Sequence, residues 1–370
     1  MEVAVGELVR ILTVNAGSTS LKLERYELGP GTDDIARPPA PAYAAEPSPD
    51  EVERELFACT RDPLDAVAHR FVRLPDGTPP VFGLDAGAIE RIAAVGADDP
   101  LHDASALRAV GIIERLRPEV PQFAVSDSAF HRTMPEAAST YALPRELTQS
   151  GLRRVGFHGL SHEYAAHRGC VLAGLDIEHA RVVTAHLGGG SSLCAVRDGA
   201  SVDTTMGYTP LEGLPMATRS GSVDPGLLVH LLRSGLPVDA LAEMLERRSG
   251  LLGISGLSAD VRDLLAAREN PAARLALDVL AWRLRAALGA MLAVLGGADA
   301  IVFTGGIGEH AAEIRAAALD GGLGVRAILD DRNATSKEGR IDSGDSAIAV
   351  CIVTAREGWQ LALRTKRSVA

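Results

Sequence analysis

The chain has 370 residues, a length that favours more than one domain. Hydrophobic residues make up 46% and charged residues 23%, a composition typical of a globular protein. Its formal net charge of −11 argues against a general binder of nucleic acid or anionic membrane. The four cysteines form no CxxC pair, and residues 1–10 carry Glu2 and Glu7 without a long apolar run. We therefore expect a cytoplasmic protein with reduced thiols and no membrane or nucleic-acid partner.

The first half of the chain mixes strand and helix patterns. An apolar strand at 11–14 enters a Gly-centred turn and returns as a second strand through Leu21, Leu23 and Tyr26. The Pro-rich residues 30–49 predict a loop. Further elements are predicted in chain order as a helix at 49–58, a strand at 65–72, a strand or short helix at 89–95, a helix at 107–116 and a strand at 123–125.

The second half opens on the same pattern, because a strand at 181–185 enters a Gly-rich turn and returns at 193–197. We interpret the recurrence as a diverged internal repeat, one copy per domain. Helices are then predicted at 224–232, 237–247, 271–295, 311–318 and 359–364, strands at 301–304 and 347–353, and a polar, hairpin-like loop at 330–345. The alternation of strands and helices predicts an α/β fold.

Three Gly-rich turns are candidates for phosphate binding. Ser18, Ser20 and Lys22 surround the first turn, which lacks the Walker pattern and continues as a strand, so it predicts a phosphate-binding hairpin or a plain one. The turn at 188–190 and the strand-to-helix turn at 305–308 also allow backbone to approach a ligand. Tight turns and close packing are the alternatives for these two.

Ionic and imidazole side chains stand next to several of these segments. Asp127 follows a strand, where a carboxylate suits Mg²⁺ or merely forms a turn. His158 lies between two glycines and is either a ligand-facing or a structural imidazole. Arg70 ends a strand, and Arg219 lies in a Gly/Ser/Thr loop where a guanidinium suits anion recognition.

Long motifs in a fixed order resemble the acetate kinase family. Residues 14–22 (VNAGSTSLK) and 154–162 (RVGFHGLSH) are similar to its two signatures, and 127–135, 203–220, 258–263 and 303–309 are similar to further family segments. The resemblance implies two related domains of the actin, hexokinase and heat-shock ATPase type around a nucleotide cleft. Domain I would comprise 1–129 plus 359–370, and the nucleotide-binding domain II would comprise 130–358.

The resemblance also implies a role for individual residues. The catalytic residues would be Arg70, Asp127, His158 and Arg219. The phosphate- and nucleotide-binding residues would be Asn15, Ser18, Ser20, Lys22, His186, Gly188, Gly189, Gly190, Asp260, Arg262, Gly305, Gly306, Ile307 and Gly308. The acyl pocket would be lined by Val72, Leu101, His102, Phe157 and Pro210. Asp127 and Glu357 would organise Mg²⁺, with Mn²⁺ as an alternative.

The implied reaction is transfer of the γ-phosphoryl group of ATP to a short-chain carboxylate, reversibly and in a homodimer whose interface includes the helix at 271–295. A carboxylic acid with a pKa of about 4.3 is already ionised at neutral pH, so the acceptor needs no general base. The sequence departs from the family at Gly189 and His310, where Asn is usual, and at Ser222, where Asp is usual. These departures affect rate and nucleotide preference more than reaction class.

Three alternatives to an acetate kinase remain. A propionate or butyrate kinase would differ in the size of the acyl pocket. A sugar-kinase-like enzyme would use Asp127 as a base towards a hydroxyl. A nucleotide-binding regulatory protein that has lost catalysis would bind ATP without forming acyl phosphate.

Overall fold

A computed structural model of the chain describes residues 8–16, 20–29, 42–45, 48–72, 74–75, 77–95, 103–320, 329–335, 337–343 and 345–369. The chain divides into two compact units, with Met1–Ala129 and Arg356–Ala370 in unit 1 and Phe130–Ala355 in unit 2. The C-terminal piece of unit 1 thus begins at Arg356 rather than at the expected 359. The reason is that a helix starting at Glu357 packs within unit 1.

In its described part, unit 1 contains one six-stranded sheet with the order β3–β2–β1–β4–β6–β5. Its strands are β1 (Val9–Ala16), β2 (Ser20–Leu28), β3 (Ala42–Ala45), β4 (Ala66–Phe71), β5 (Val81–Gly83) and β6 (Gln122–Ser126). Its helices are α1 (Pro49–Cys59), α2 (Ala86–Val95), α3 (Asp103–Leu116) and the C-terminal helix Glu357–Val369. The central strands β1, β4 and β6 are parallel, so their carboxyl ends share one edge of the sheet.

The described part of unit 2 repeats this sheet with the order β9–β8–β7–β10–β12–β11. Its strands are β7 (Arg181–Leu187), β8 (Ser191–Arg197), β9 (Ala200–Thr204), β10 (Ala300–Thr304), β11 (Gly339–Arg340) and β12 (Ala349–Ile352). Its helices are α4 (Glu136–Ser139), α5 (Arg145–Gln149), α6 (Gly159–Ala173), α7 (Pro225–Arg233), α8 (Val238–Arg247), α9 (Gly250–Ser255), α10 (Val261–Ala266), α11 (Pro271–Leu295), α12 (Gly305–His310) and α13 (Ala312–Leu319). The C-terminal helix Glu357–Val369 of unit 1 is therefore α14.

Each of the two sheets also has an ion pair of the same kind at the start of its first strand. Arg10 at the start of β1 donates from its backbone N–H and its guanidinium to Asp65, at 2.8–2.9 Å. Arg181 at the start of β7 donates in the same way to Asp299, at 2.8–3.3 Å. Each aspartate just precedes the neighbouring parallel strand, β4 or β10. The strand order and this pair together support the predicted internal repeat.

The sheet of unit 2 is buried on both faces. Val183, Ala185 and Leu193 face the long helix α11, with which they form one apolar core. Thr184 and Ser192 point to the opposite face, where the first turn of α6 meets them through His162. The second face is therefore lined with polar side chains that are buried but hydrogen-bonded, as buried polar groups need to be.

The Gly-rich segment after β10 differs from its sequence-based description as a turn. Residues Gly305–His310 form the short helix α12, which begins directly at the end of β10. Glycine is a poor helix former, so no propensity signal indicated this helix. Gly305 has φ +78°, and a Cβ there would lie 2.7 Å from the Leu187 carbonyl oxygen, so the close approach to β7 requires glycine.

No helix in the described part of the chain is both long and apolar enough to span a membrane.

Candidate active site

Four of the predicted residues in unit 1 form one hydrogen-bonded chain. Arg70, at the carboxyl end of β4, donates to the Asp127 carboxylate at 2.8 Å and to the Asn15 Oδ1 at 3.2 Å. Asn15 Nδ2 in turn donates to the Glu357 carboxylate at 3.2 Å. The residues come from β1, β4, the end of β6 and the start of α14, which meet at the edge where the parallel strands end.

The Arg70–Asp127 pair is largely removed from water. The Asp127 side chain is 0% exposed and that of Arg70 is 16% exposed. A buried charge pair is stable only when both members stay bonded, so each holds the other in place. The pair gives unit 1 a fixed guanidinium that is bonded to the Asp127 carboxylate and linked through Asn15 to that of Glu357.

The other predicted residues of unit 1 lie on β2, directly after β4, or outside the described residues. Lys22 is exposed on β2 and pairs with Asn15 across the β1–β2 ladder, so the two side chains lie on the same face. Ser20 lies at the start of β2, and Val72 directly follows β4 and is half-buried. Ser18, Leu101 and His102 lie outside the described residues.

Sequence reasoning missed Glu24, which lies two residues beyond Lys22 on the same strand. Burial raises the pKa of the Glu24 carboxyl, and the negative charge of Glu357 acts in the same direction. Lys22 and a hydrogen bond from Tyr26 oppose this rise. The alternation of strand side chains would have placed Glu24 on the face of Lys22, which was the available signal.

In unit 2, the predicted residues gather around the turn at 188–190. The His158 and His186 rings lie 4.4 Å apart, centre to centre. A Cβ at Gly190 would lie 3.2 Å from the His158 ring and 3.5 Å from a guanidinium nitrogen of Arg219. Glycine at 190 therefore lets the turn approach the His158 ring and the Arg219 guanidinium closely.

The backbone of His158 is itself unusual. His158 has φ +57° and ψ +26°, the left-handed region that a non-glycine residue rarely adopts, and it immediately precedes α6. Strain of this kind persists where the surroundings over-determine it, often at functional positions. Here the His158 Nδ1 lies 2.9 Å from the Ser192 Oγ, which fixes the ring.

The remaining nucleotide-binding predictions fall on other parts of unit 2. Asp260 accepts from the backbone N–H of Arg262 and so caps α10, while the exposed Arg262 guanidinium lowers the pKa of its carboxyl. A Cβ at either Gly189 or Gly306 would meet nothing within 4 Å, so both positions border open space. Gly188 belongs to the same turn as Gly189, and Ile307 and Gly308 lie within α12.

The acyl-pocket predictions fall in both units. Phe157 is buried and Pro210 half-buried in unit 2, whereas Val72 belongs to unit 1. Val72, Phe157 and Pro210 together remain a predicted pocket.

Comparison with known proteins identifies the family. The model of the acetokinase family matches residues 47–363. An acetate kinase of Gloeobacter violaceus is 39% identical, covering 96% of this chain and 98% of that protein, and one of Nostoc punctiforme is 43% identical, covering 81% and 75%. The crystal structure of Porphyromonas gingivalis acetate kinase has a TM-score of 0.86 at 31% identity, covering 98% of this chain and 100% of that one. That of a propionate kinase from Francisella tularensis has a TM-score of 0.83 at 32% identity, covering 96% and 98%.

These matches, with the repeated six-stranded sheet, confirm the predicted α/β fold class of two related domains. The chain belongs to the acetokinase family. It is a kinase that uses ATP to transfer phosphate to a carboxylate.

Proposed function

We propose that the protein transfers the γ-phosphoryl group of ATP to acetate, giving acetyl phosphate and ADP, in a reversible reaction. Acetate is favoured because the relatives that match the chain over nearly their whole length are named acetate kinases. The propionate kinase of similar structure keeps propionate, and by extension butyrate, as the second candidate.

The observation that carries the mechanism is the Asp127–Arg70–Asn15–Glu357 chain. A carboxylate acceptor needs no base, but it must approach a polyanion, so fixed cationic donors matter most. Arg70 is such a donor, because Asp127 and Asn15 hold its guanidinium. This arrangement disfavours a sugar-kinase role for Asp127, since its carboxylate is already bonded to the Arg70 guanidinium at 2.8 Å.

We assign the other roles as follows. One carboxylate oxygen of the acid attacks the γ-phosphorus in line, the bond to the β–γ bridging oxygen breaks, and ADP leaves with its electron pair. Arg70 and Arg219 would neutralise charge on the acid and on the transferring group. His158 would donate to a phosphoryl oxygen, and the turn at 188–190 and the start of α12 at 305–308 would contact the nucleotide.

We further propose that Asp127 and Glu357 bind Mg²⁺, or Mn²⁺ in its place. The described residues contain no group of three His, Cys, Asp or Glu side chains able to hold a metal. The Asp127 and Glu357 carboxylates, which are linked through Arg70 and Asn15, suit Mg²⁺, because this ion is usually bound through one or two carboxylates and the substrate phosphates. When bound with ATP, the ion would neutralise charge on the β- and γ-phosphates.

A single assay tests the function and its alternatives. The protein is incubated with Mg-ATP and acetate, propionate or butyrate, and acyl phosphate is trapped with hydroxylamine. The proposal expects most hydroxamate from acetate. More product from a longer acid would favour the second candidate. ATP binding without hydroxamate from any acid would favour a catalytically impaired regulatory protein.

We also propose a homodimer in the cytoplasm. The outer side of α11 carries Trp282, which is 68% exposed, and Leu275, which is 54% exposed, and such exposed apolar side chains often mark an interface. The four cysteines are free thiols, as in a reducing compartment. Light scattering tests the dimer, and a monomeric mass at micromolar concentration would contradict it.

A further inference from the structure

A buried hydrogen-bond chain leads from the interior of unit 2 to the His158 ring. Thr184 Oγ1 lies 2.7 Å from His162 Nδ1, His162 Nε2 lies 2.8 Å from Ser192 Oγ, and Ser192 Oγ lies 2.9 Å from His158 Nδ1. Thr184, His162 and Ser192 are each 0% exposed, so water does not compete for these groups. We call these three residues, together with His158, the histidine chain.

Ser192 couples the two imidazoles. A hydroxyl has one hydrogen, and in the described part of the chain the Ser192 Oγ has only these two ring nitrogens within hydrogen-bonding distance. If that hydrogen points to His158 Nδ1, then His162 Nε2 must carry its own hydrogen and donate to Ser192. If it points to His162, then His158 Nδ1 must donate instead. Which nitrogen carries the hydrogen in one ring therefore determines which nitrogen carries it in the other ring.

The distances around Thr184 decide between the two directions. Apart from His162 Nδ1 at 2.7 Å, the described partner of Thr184 Oγ1 is the Cys194 carbonyl oxygen at 3.5 Å. Hydroxyl hydrogen bonds are normally 2.5–3.0 Å long, so the carbonyl is a poor acceptor for the Thr184 hydrogen. Thr184 therefore donates to His162 Nδ1, and neutral His162 carries its hydrogen on Nε2.

The donor-to-acceptor direction is the same up to the last member of the histidine chain, His158. His162 Nε2 donates to Ser192, Ser192 donates to His158 Nδ1, and neutral His158 is left with its hydrogen on Nε2. The Nε2 edge of the ring lies beside Gly190, and a Cβ at Gly190 would lie 3.2 Å from Nε2. The Nε2 N–H of the ring thus lies on the edge that faces the glycine.

We propose that Thr184, His162 and Ser192 are positioning residues that keep the hydrogen of neutral His158 on Nε2. The ring then donates to an anionic ligand without having to become charged. The inference rests on the proposed role of His158 as a donor to a phosphoryl oxygen. Thr184 acts through two intermediate side chains and touches no reacting atom.

The first test reads the tautomer directly. Long-range ¹H–¹⁵N correlation spectra of the histidine-labelled, substrate-free enzyme distinguish a protonated from an unprotonated ring nitrogen, and His158→Asn assigns the His158 signals. We expect a protonated Nε2 at His158 in the wild type and in Thr184→Ser, which keeps the hydroxyl. A protonated Nδ1 at His158 in the wild type would overturn the proposal.

The second test is kinetic. Thr184→Val removes the hydroxyl at similar size, and we expect kcat to fall about tenfold while both KM values stay within about twofold, the scale seen when an outer residue orients a functional histidine. Thr184→Ser should restore kcat. The matched control is Ser201→Ala, because Ser201 Oγ also lies 2.9 Å from a histidine Nδ1, that of His131.

The outcomes separate the proposal from the function. A folded Thr184→Val with kcat within about twofold of wild type would refute the role of the histidine chain. If Thr184→Val does not fold, the wild-type spectrum and Thr184→Ser still decide. If the wild type makes no acyl phosphate from any acid, the proposed function fails, while the spectrum independently tests the tautomer.

Discussion

At the scale of single residues, charge and burial decide what the candidate site can do. Arg70 and Asp127 were both predicted from sequence, but their direct pairing was not, because they are 57 positions apart. The bond needs the β4–β6 register, in which Arg70 pairs with Val125, two residues before Asp127. A single sequence identified the residues through their motifs, and the pairing needed the fold.

Replacing Arg219 by Ala should mainly lower turnover. The Arg219 guanidinium lies beside the Gly190 turn, and its charge would matter most when the transferring group spreads its own charge. We expect kcat to fall by about 10² or more, with smaller changes in KM, in the hydroxamate assay. Arg247→Ala, an exposed arginine on α8, is the control, and an unchanged kcat in Arg219→Ala would contradict the assignment.

Replacing Arg70 by Ala should reduce both activity and stability. The variant leaves the Asp127 carboxylate buried without this guanidinium, and breaking a buried pair in this way costs about 3–5 kcal/mol. Urea unfolding measures the loss. The double variant Arg70→Ala/Asp127→Asn removes the uncompensated charge, so it should recover part of the stability and none of the activity. Equal stability of the single and double variants would argue against this account.

At the scale of elements, the sequence indicated some segments closely and left others undetected. The helix predicted at 271–295 is α11 with the same bounds, because a long apolar pattern that ends at glycine specifies both its type and its end. The short helix α12 was missed because half of its residues are glycine, a poor helix former. The strand β3 was missed because it lies in a Pro-rich stretch and forms only through pairing with β2.

Two neighbouring glycines of α12 should respond differently to alanine. Gly305→Ala forces a side chain into a positive φ and against the Leu187 carbonyl, so we expect a loss of about 2 kcal/mol or more. Gly306→Ala enters open space and should leave the melting temperature nearly unchanged, while raising the KM for ATP if the nucleotide lies against the start of α12. Thermal unfolding and kinetics of both variants check this, and an unchanged KM would exclude a close contact at Gly306.

The strand β4 carries a histidine that should make stability depend on pH. His69 is fully buried with its Nε2 2.8 Å from the Gln122 Oε1, and burial lowers its pKa to about 4. The unfolded chain therefore binds a proton first, near pH 6.5, and stability falls as pH drops from about 6.5 to about 4, by up to about 1.4 kcal/mol per pH unit. Urea unfolding of His69→Gln should lack this component, and parallel pH profiles of both proteins would contradict the assignment.

At the scale of the whole molecule, unit 2 is one continuous stretch, whereas unit 1 combines both ends of the chain. The repeated sheet was foreseeable, because the strand–turn–strand pattern occurs twice in the sequence. The shared Arg–Asp pairs were not, because arginine and aspartate are common and their partners are distant. The acetate kinase motifs indicated the reaction class, while the identity of the acid depends on small differences in pocket volume that sequence patterns do not resolve.

A chain truncated after Ala355 should lose the order of unit 1 and keep that of unit 2. The truncation removes α14, including buried Trp359, whose ring packs edge-on against Tyr26 at 5.6 Å, and the Glu357 bond to Asn15. Hydrogen-exchange mass spectrometry should show lost protection in β1 and β4 and retained protection in β7 and β10. Full protection of β1 in the truncated chain would show that α14 is dispensable.

The Arg10–Asp65 pair lies at the end of β1 and β4 that is opposite to Asn15 and Arg70. In the β1–β4 ladder Ile11 pairs with Ala66 and Val14 with His69, so the next step along the register aligns Asn15 with Arg70. A slip of one residue would turn every side chain of β1 to the other face and separate these two. The Arg10–Asp65 pair fits only the register that aligns Asn15 with Arg70, which lie five residues along β1 and about 16 Å away.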